Sequence, residues 1–214
     1  TPQTVTVTGV DDDLDDGDAG YTIVTAAAVS ADANYHNLNA ADVSVTNADN
    51  DTAGITVNPT SGLVTTESGG AATFTIVLNT QPTADVTIGL TSSDATEGTV
   101  APASVTFTSG NWNTAQTVTV TGVNDDLDDG DVTYTILTAA ATSADANYNN
   151  LNAADVSVTN TDNDTAGITV SPTSGLTTTE GGGTDTFTIV LNSQPTADVT
   201  IGLTSSDTTE GTVA

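Results

Sequence analysis

Lysine and arginine are absent from these 214 residues, which carry 28 acids and one His for a formal net charge of −28. No cation is available to neutralise phosphates, so nucleic-acid binding through backbone contacts is excluded. No polybasic patch can hold an anionic lipid surface, and lysine or arginine ion pairs cannot form. Cysteine and methionine are also missing, which removes disulfides and thiolate metal sites. The single histidine, His36, cannot build a zinc or copper site from several imidazoles. No apolar run approaches the ~18 residues of a membrane-spanning helix, and no charged segment precedes an apolar one as in a signal peptide. Without Cys or Lys, and with one His, the chain lacks the usual nucleophiles and bases. Paired carboxylates could serve a glycosidase, but no cleft-forming insertion interrupts the strands, so an enzyme is not expected.

What is present is lopsided. The acids divide into 24 Asp and 4 Glu. Helical surfaces favour Glu, whereas Asp belongs to turns and caps and supplies oxygen ligands to hard cations. Aromatics make up only 4% of the chain, yet 36% is hydrophobic, and Val, Ile and Thr alternate strictly. That pattern indicates a folded chain whose acids require a neutralising partner.

A repeat sets the organisation. Residues 4–101 align with 117–214 without a gap, at a period of 113 residues and with 14 differences. The period is that of an independent domain, not of a solenoid unit. His36 is replaced by Asn149 in the second copy, so a catalytic role for it is not expected. Period-2 alternation predicts strands at 55–57, 72–78, 85–90, 104–108, 116–123, 132–138 and 155–159. A short Ala-rich tract at 139–146 has the composition for one helical turn. Seven short strands separated by Gly, Asn, Asp, Ser and Pro predict an all-β fold of tandem Ig-like antiparallel seven-stranded β-sandwiches. With each unit starting at Gly-Ile-Thr-Val, residues 54–166 form a complete copy. Residues 1–53 are then the three C-terminal strands of a preceding repeat, and 167–214 the three N-terminal strands of a following one. The chain thus reads as a window on a longer array.

Three ordered motifs stand out within the complete copy. The early pattern is Thr66-Glu67-Ser68-Gly69-Gly70 with Phe74-Thr75-Ile76-Val77-Leu78. The middle pattern is Thr106-Phe107, the valine-rich 118–123, Asp125-Asp126, Asp129-Gly130-Asp131 and Tyr134. The end is the strand at 156–159 running into Asp162-Asn163-Asp164. Together these motifs resemble the Calx-β domain family, and the resemblance implies a β-sandwich that binds Ca²⁺ at one end, with Glu67, Asp125, Asp126, Asp129, Asp162 and Asp164 as ligands. Their counterparts in the flanking copies are Asp12, Asp13, Asp16, Asp49, Asp51 and Glu180. The sequence departs from the family at Asn124, Val132 and Asn163.

The residues themselves point the same way. Five carboxylates fall within 125–131, and two carboxylates about 6 Å apart repel by roughly 3 kcal/mol at an effective dielectric near 20. Only protonation or a cation relieves such a cluster here. Ca²⁺ accepts 6–8 oxygens in flexible geometry, whereas Mg²⁺ is more demanding. Asp94 and Glu97 lie near where the Calx-β family has a further ligand loop, shortened here, so the resemblance makes them weaker ligand candidates. Asp145 is expected to make an Asx turn, with Tyr148 and Trp112 packing on the sandwich.

These readings converge on an extracellular or cell-surface Ca²⁺-binding repeat that rigidifies an extended adhesin or fibre. Its partners would be neighbouring repeats of the same chain, with no nucleic acid and no membrane insertion. One alternative is an adhesive module recognising a glycan or protein. Another is a homopolymeric filament in which the two flanking segments complete one another between chains by strand exchange.

Overall fold

The computed structural model describes residues 1–213, which form strands and turns and contain no helix. In chain order the strands are β1 (Ala19–Ile23), β2 (Val43–Asn47), β3 (Ile55–Asn58), β4 (Leu63–Thr66) and β5 (Ala71–Leu78). Next come β6 (Val86–Ser92), β7 (Gly98–Ala101), β8 (Ser104–Phe107), β9 (Gln116–Gly122) and β10 (Val132–Thr138). The last are β11 (Thr142–Ser143), β12 (Val156–Thr161), β13 (Ile168–Ser171) and β14 (Thr188–Leu191).

Strands β3 to β12 build a β-sandwich. One sheet has the order β3-β5-β9-β7, and the other β11-β6-β10-β12-β4, with β8 also pairing β6. All pairings are antiparallel except β12 with β4, where Val158 to Thr161 run beside Leu63 to Thr66 in parallel. The alternation in the sequence dictates which side chains meet between the sheets. Phe74, Ile76 and Leu78 of β5 and Val118 and Val120 of β9 face Val86, Ile88, Val105, Phe107, Ile136, Val156 and Val158 of the opposite sheet. The intervening threonines remain at the wet surface. Fully burying each aliphatic or aromatic side chain contributes about 1.5–3 kcal/mol. Truncating Phe107 to Ala would therefore open a cavity costing about 3–5 kcal/mol.

Three strands of this unit escape the alternation pattern, so it contains ten strand segments where seven were expected. β4 is four residues flanked by Ser61-Gly62 and Glu67, and it forms because β12 offers a parallel edge. β7 contributes one valine to a sheet edge, and β11 is a two-residue ladder on β6. The tract 139–146 makes no helical turn; Thr142 and Ser143 pair with Thr87 and Val86 instead.

The flanking segments repeat parts of the same pairing. β1–β2 has the register of β10–β12, with Tyr21 opposite Val45 as Tyr134 is opposite Val158. β13–β14 has the register of β3–β5. Each flank holds two strands rather than the three expected. Residues 4–10 alternate like β9 but form no strand, because β9 is held by β5 on one side and β7 on the other. The segment 199–205, the counterpart of β6, is likewise unpaired among the described residues.

Candidate metal centre

Four segments meet at one end of the sandwich: the turn after β4, the turn before β7 that carries Glu97, the 123–131 loop after β9, and the 162–166 segment after β12. They meet because β4 lies beside β12 and because Gly70 O accepts from Gly122 N at 3.0 Å. Gly122 lies so close to the carbonyl of Thr66 and to Asn160 that a Cβ there would collide with both. Gly98 is similarly overlain by the Tyr134 hydroxyl. Only glycine allows these backbones to close the floor of the site.

Two groups of carboxylates stand on this floor. Glu67, Asp162 and Asp164 each offer an oxygen within 4.8 Å of the others, and so do Glu97, Asp125 and Asp129. Each trio has the same construction, one buried glutamate and two more accessible aspartates. Glu67 is 4% exposed and Glu97 6%.

The surrounding polar atoms orient these groups. Asn163 donates both its backbone N–H and its side-chain amide to Glu67 Oε2, each at 3.0 Å. Asn160, buried on β12, donates to Glu97 Oε2 at 3.3 Å and to the Val123 carbonyl at 3.1 Å. Its Oδ1 accepts from Thr65 at 3.0 Å, so one amide ties β4, β12 and the acidic loop together. Asp162 Oδ2 accepts from Gly130 N at 2.7 Å and its Oδ1 from Asp164 N at 2.6 Å. Asp125 Oδ1 accepts from Leu127 N at 2.8 Å, an Asx turn that shapes the loop.

The electrostatics result from this packing. Burial pushes the Glu67 carboxyl up; the Asn163 bond opposes that shift, while Asp162, Asp125 and Asp164 add to it. Glu97 is raised by burial and by Asp129, Asp125 and Asp94, against the Asn160 bond. Asp164 is raised by partial burial and by Asp126 and Asp162. Asp162 is lowered, chiefly by the N–H groups of Asp164 and Gly130. Two buried carboxyls beside four aspartates, with no Lys or Arg in the chain, form a donor set of hard oxygens. Such a set can hold a metal ion.

Of the residues singled out in the sequence, Glu67, Asp125, Asp129, Asp162 and Asp164 are brought into these trios, joined by Glu97, a weaker candidate. Asp126 lies beside them, close enough to raise Asp164, but outside either trio. Asp94 instead caps its own turn, accepting from Thr96 N at 3.0 Å. In the first copy Asp12, Asp16, Asp49 and Asp51 line one shared cavity with Asp11. There Asp49 accepts from Gly17 N at 2.7 Å and from Asp51 N at 2.8 Å, repeating the Asp162 pattern. Asp13 is exposed, and its carbonyl accepts from Gln81 N at 2.7 Å. Glu180 is exposed and joins no trio; no strand flanks 177–179 among the described residues to bury it. Asp145 does make its Asx turn, accepting from Asn147 N at 2.9 Å. Tyr148 is buried with its hydroxyl on Thr80, and Trp112 packs against the core.

No family model and no curated protein matches the chain. Solved structures resemble it in part. The apo form of the Calx CBD1 domain is 15% identical over 51% of this chain and 96% of its own length, with a TM-score of 0.41. The periplasmic chaperone SfaE is 10% identical over 51% of this chain and 58% of its own, with a TM-score of 0.41. Domains 4 and 5 of the S-layer protein SbsC are 22% identical over 57% of this chain and 53% of their own, with a TM-score of 0.33.

Proposed function

We propose that this chain is a structural, non-catalytic repeat of an extracellular array, stiffened by Ca²⁺ at the end of each β-sandwich. The observation that carries the reading is the pair of buried glutamates, Glu67 and Glu97, each beside two aspartates in a chain without Lys or Arg. An uncompensated buried charge is expensive to maintain, and a divalent cation relieves it without protonation. The donors are carboxylates, most of them on loops, which suit the larger, more adaptable coordination sphere of Ca²⁺ over the strict octahedron of Mg²⁺. Extracellular modules take Ca²⁺ at about 10⁻⁴–10⁻³ M, concentrations found outside cells. The motif resemblance to the Calx-β family supports the same ion. Without the ion the acidic loops repel and the ends of the sandwich loosen; with it the 162–166 segment is drawn onto Glu67 and the 123–131 loop onto Glu97.

Thermal unfolding of the chain in EDTA, in millimolar Mg²⁺ and in millimolar Ca²⁺ tests this. Calcium at about 100 times its dissociation constant should add roughly 2.7 kcal/mol per site, a rise of many degrees that Mg²⁺ does not reproduce. A melting temperature indifferent to EDTA would remove the calcium role.

A further inference from the structure

The acidic loops hold carboxylates and carbonyls that the trios leave unused, and these face along the chain. Asp15 Oδ2 accepts from the Ala53 amide at 2.8 Å, and Asp128 Oδ2 accepts from the Ala166 amide at 2.7 Å. The Asp13 carbonyl accepts from Gln81 N at 2.7 Å, and the Asp126 carbonyl accepts from Gln194 N at 2.6 Å. Every member of one set lies 113 residues from its counterpart in the other, so two separate junctions adopt one contact pattern. At the first junction the Asp15 carbonyl also accepts from the side-chain amide of Asn147, which the Asp145 turn holds in place.

The groups contacted belong to the next strand pair along the chain. Gln81 and Gln194 sit in turns fixed to the entry of that pair, where Asn79 N donates to Gly54 O and Asn192 N to Gly167 O, both at 2.9 Å. Ala53 and Ala166 immediately precede those same glycines. The loop therefore grips the next unit at two places, its entry segment and its first turn.

We propose that Asp15 and Asp128 are inter-repeat latches, carboxylates that bind no ion and fix the orientation of the following repeat by accepting the amide at its entry. A carboxylate receiving a backbone N–H is a charge-assisted bond, stronger than a neutral one. Residues of one short loop thus divide their work: Asp125 and Asp129 face the trio, while the Asp126 carbonyl and the Asp128 carboxylate face the next repeat. The latch stands on these contacts alone and does not depend on the calcium reading.

The chain has no native cysteine, so spin labels at Thr46→Cys on β2 and Thr73→Cys on β5 report the first junction cleanly. Asp15→Ala should at least double the width of the inter-label distance distribution and speed exchange of the Ala53 amide about tenfold. Asp15→Asn keeps an acceptor oxygen but loses the charge, so it should fall between the parent and Asp15→Ala in both. Unfolding of the sandwich and calcium uptake at Glu67 and Glu97 should be unchanged in either variant, because Asp15 belongs to neither trio. A width and an Ala53 exchange rate unmoved by Asp15→Ala would overturn the latch. Broadening by Asp15→Ala in a chain that takes up no calcium would support the latch and sink the calcium reading alone.

Discussion

Asn163 donates two hydrogen bonds to a single oxygen of Glu67, one from its backbone and one from its side chain. An asparagine that interrupts a run of acids in the sequence is thereby the principal neutral support of a buried carboxylate.

Replacing it with a third acid should be costly in the absence of metal. Asn163→Asp removes one donor and sets a like charge beside Glu67, which should destabilise the EDTA-treated protein by about 1–3 kcal/mol. The deficit should shrink in saturating Ca²⁺, where the new carboxylate meets a cation. Urea melts of parent and variant in the two conditions measure the difference, and an equal deficit in both would contradict the argument.

Neutralising the buried glutamates should have opposite effects with and without ion. Glutamine at position 67 or 97 keeps an oxygen that can accept the Asn163 or Asn160 bonds and removes a buried charge. Glu67→Gln and Glu97→Gln should therefore stabilise the metal-free protein. Each should also weaken ion uptake by about tenfold or more at its own trio and leave the other trio intact. Calorimetric titration with Ca²⁺ reads both sites, and a single substitution that abolished both would show that the trios act as one centre.

Proton linkage supplies a third expectation. Burial holds Glu67 and Glu97 above the ordinary glutamate value of 4.5. The folded state thus keeps protons that the unfolded chain has already lost, and stability in EDTA should fall as pH rises through that window. At more acid pH the trend reverses. Burial pushes Asp145 up, but the N–H groups of Thr83 and Asn147 prevail and hold it below its ordinary value of 3.8. Its contribution is lost as pH falls through that lowered pKa. In Ca²⁺ the upper slope should change sign, because protons compete with the ion. Melting temperatures between pH 3 and 8, with and without EDTA, map both limbs; a metal-free curve that only rises with pH would refute this.

At the opposite end, Tyr148 closes the sandwich on Thr80, accepting from its backbone N–H at 3.1 Å and donating to its carbonyl at 2.8 Å. Tyr148→Phe would strand a buried N–H, at a cost of about 1–3 kcal/mol. Calcium uptake should not change, which makes this variant a control for stability effects alone. A shift in calcium stoichiometry would show that the two ends communicate.

Much of the fold is legible in the residues, for physical reasons. Thr-Val alternation dictates a half-buried strand, so β5, β6, β9, β10 and β12 emerge directly from the pattern. β4 and β7 are not legible, because four residues with one or two apolar side chains form a strand only when a neighbour offers an edge. Residues 4–10 err in the other direction, since the β9 pattern without two flanking strands yields no sheet. The density of Asp at 125–131 marks the acidic loop. Its division between groups that face the carboxylate trio and groups that face along the chain is hidden, because it depends on backbone direction. Glu97 stands out little in Ala-Thr-Glu-Gly, and its burial arises from the Gly98–Tyr134 contact, a packing fact with no local signature.

The parallel pairing of β4 with β12 has a mechanical meaning. Tension along the chain enters the sandwich at β3 and leaves it at β12, so the terminal strand is pulled lengthwise past β4. The bonds between Leu63–Thr66 and Val158 to Thr161 lie across that pull and must yield together, not one by one as in an unzipping hairpin. A strand pair loaded in shear resists rupture collectively, which makes this sandwich stiff along the chain.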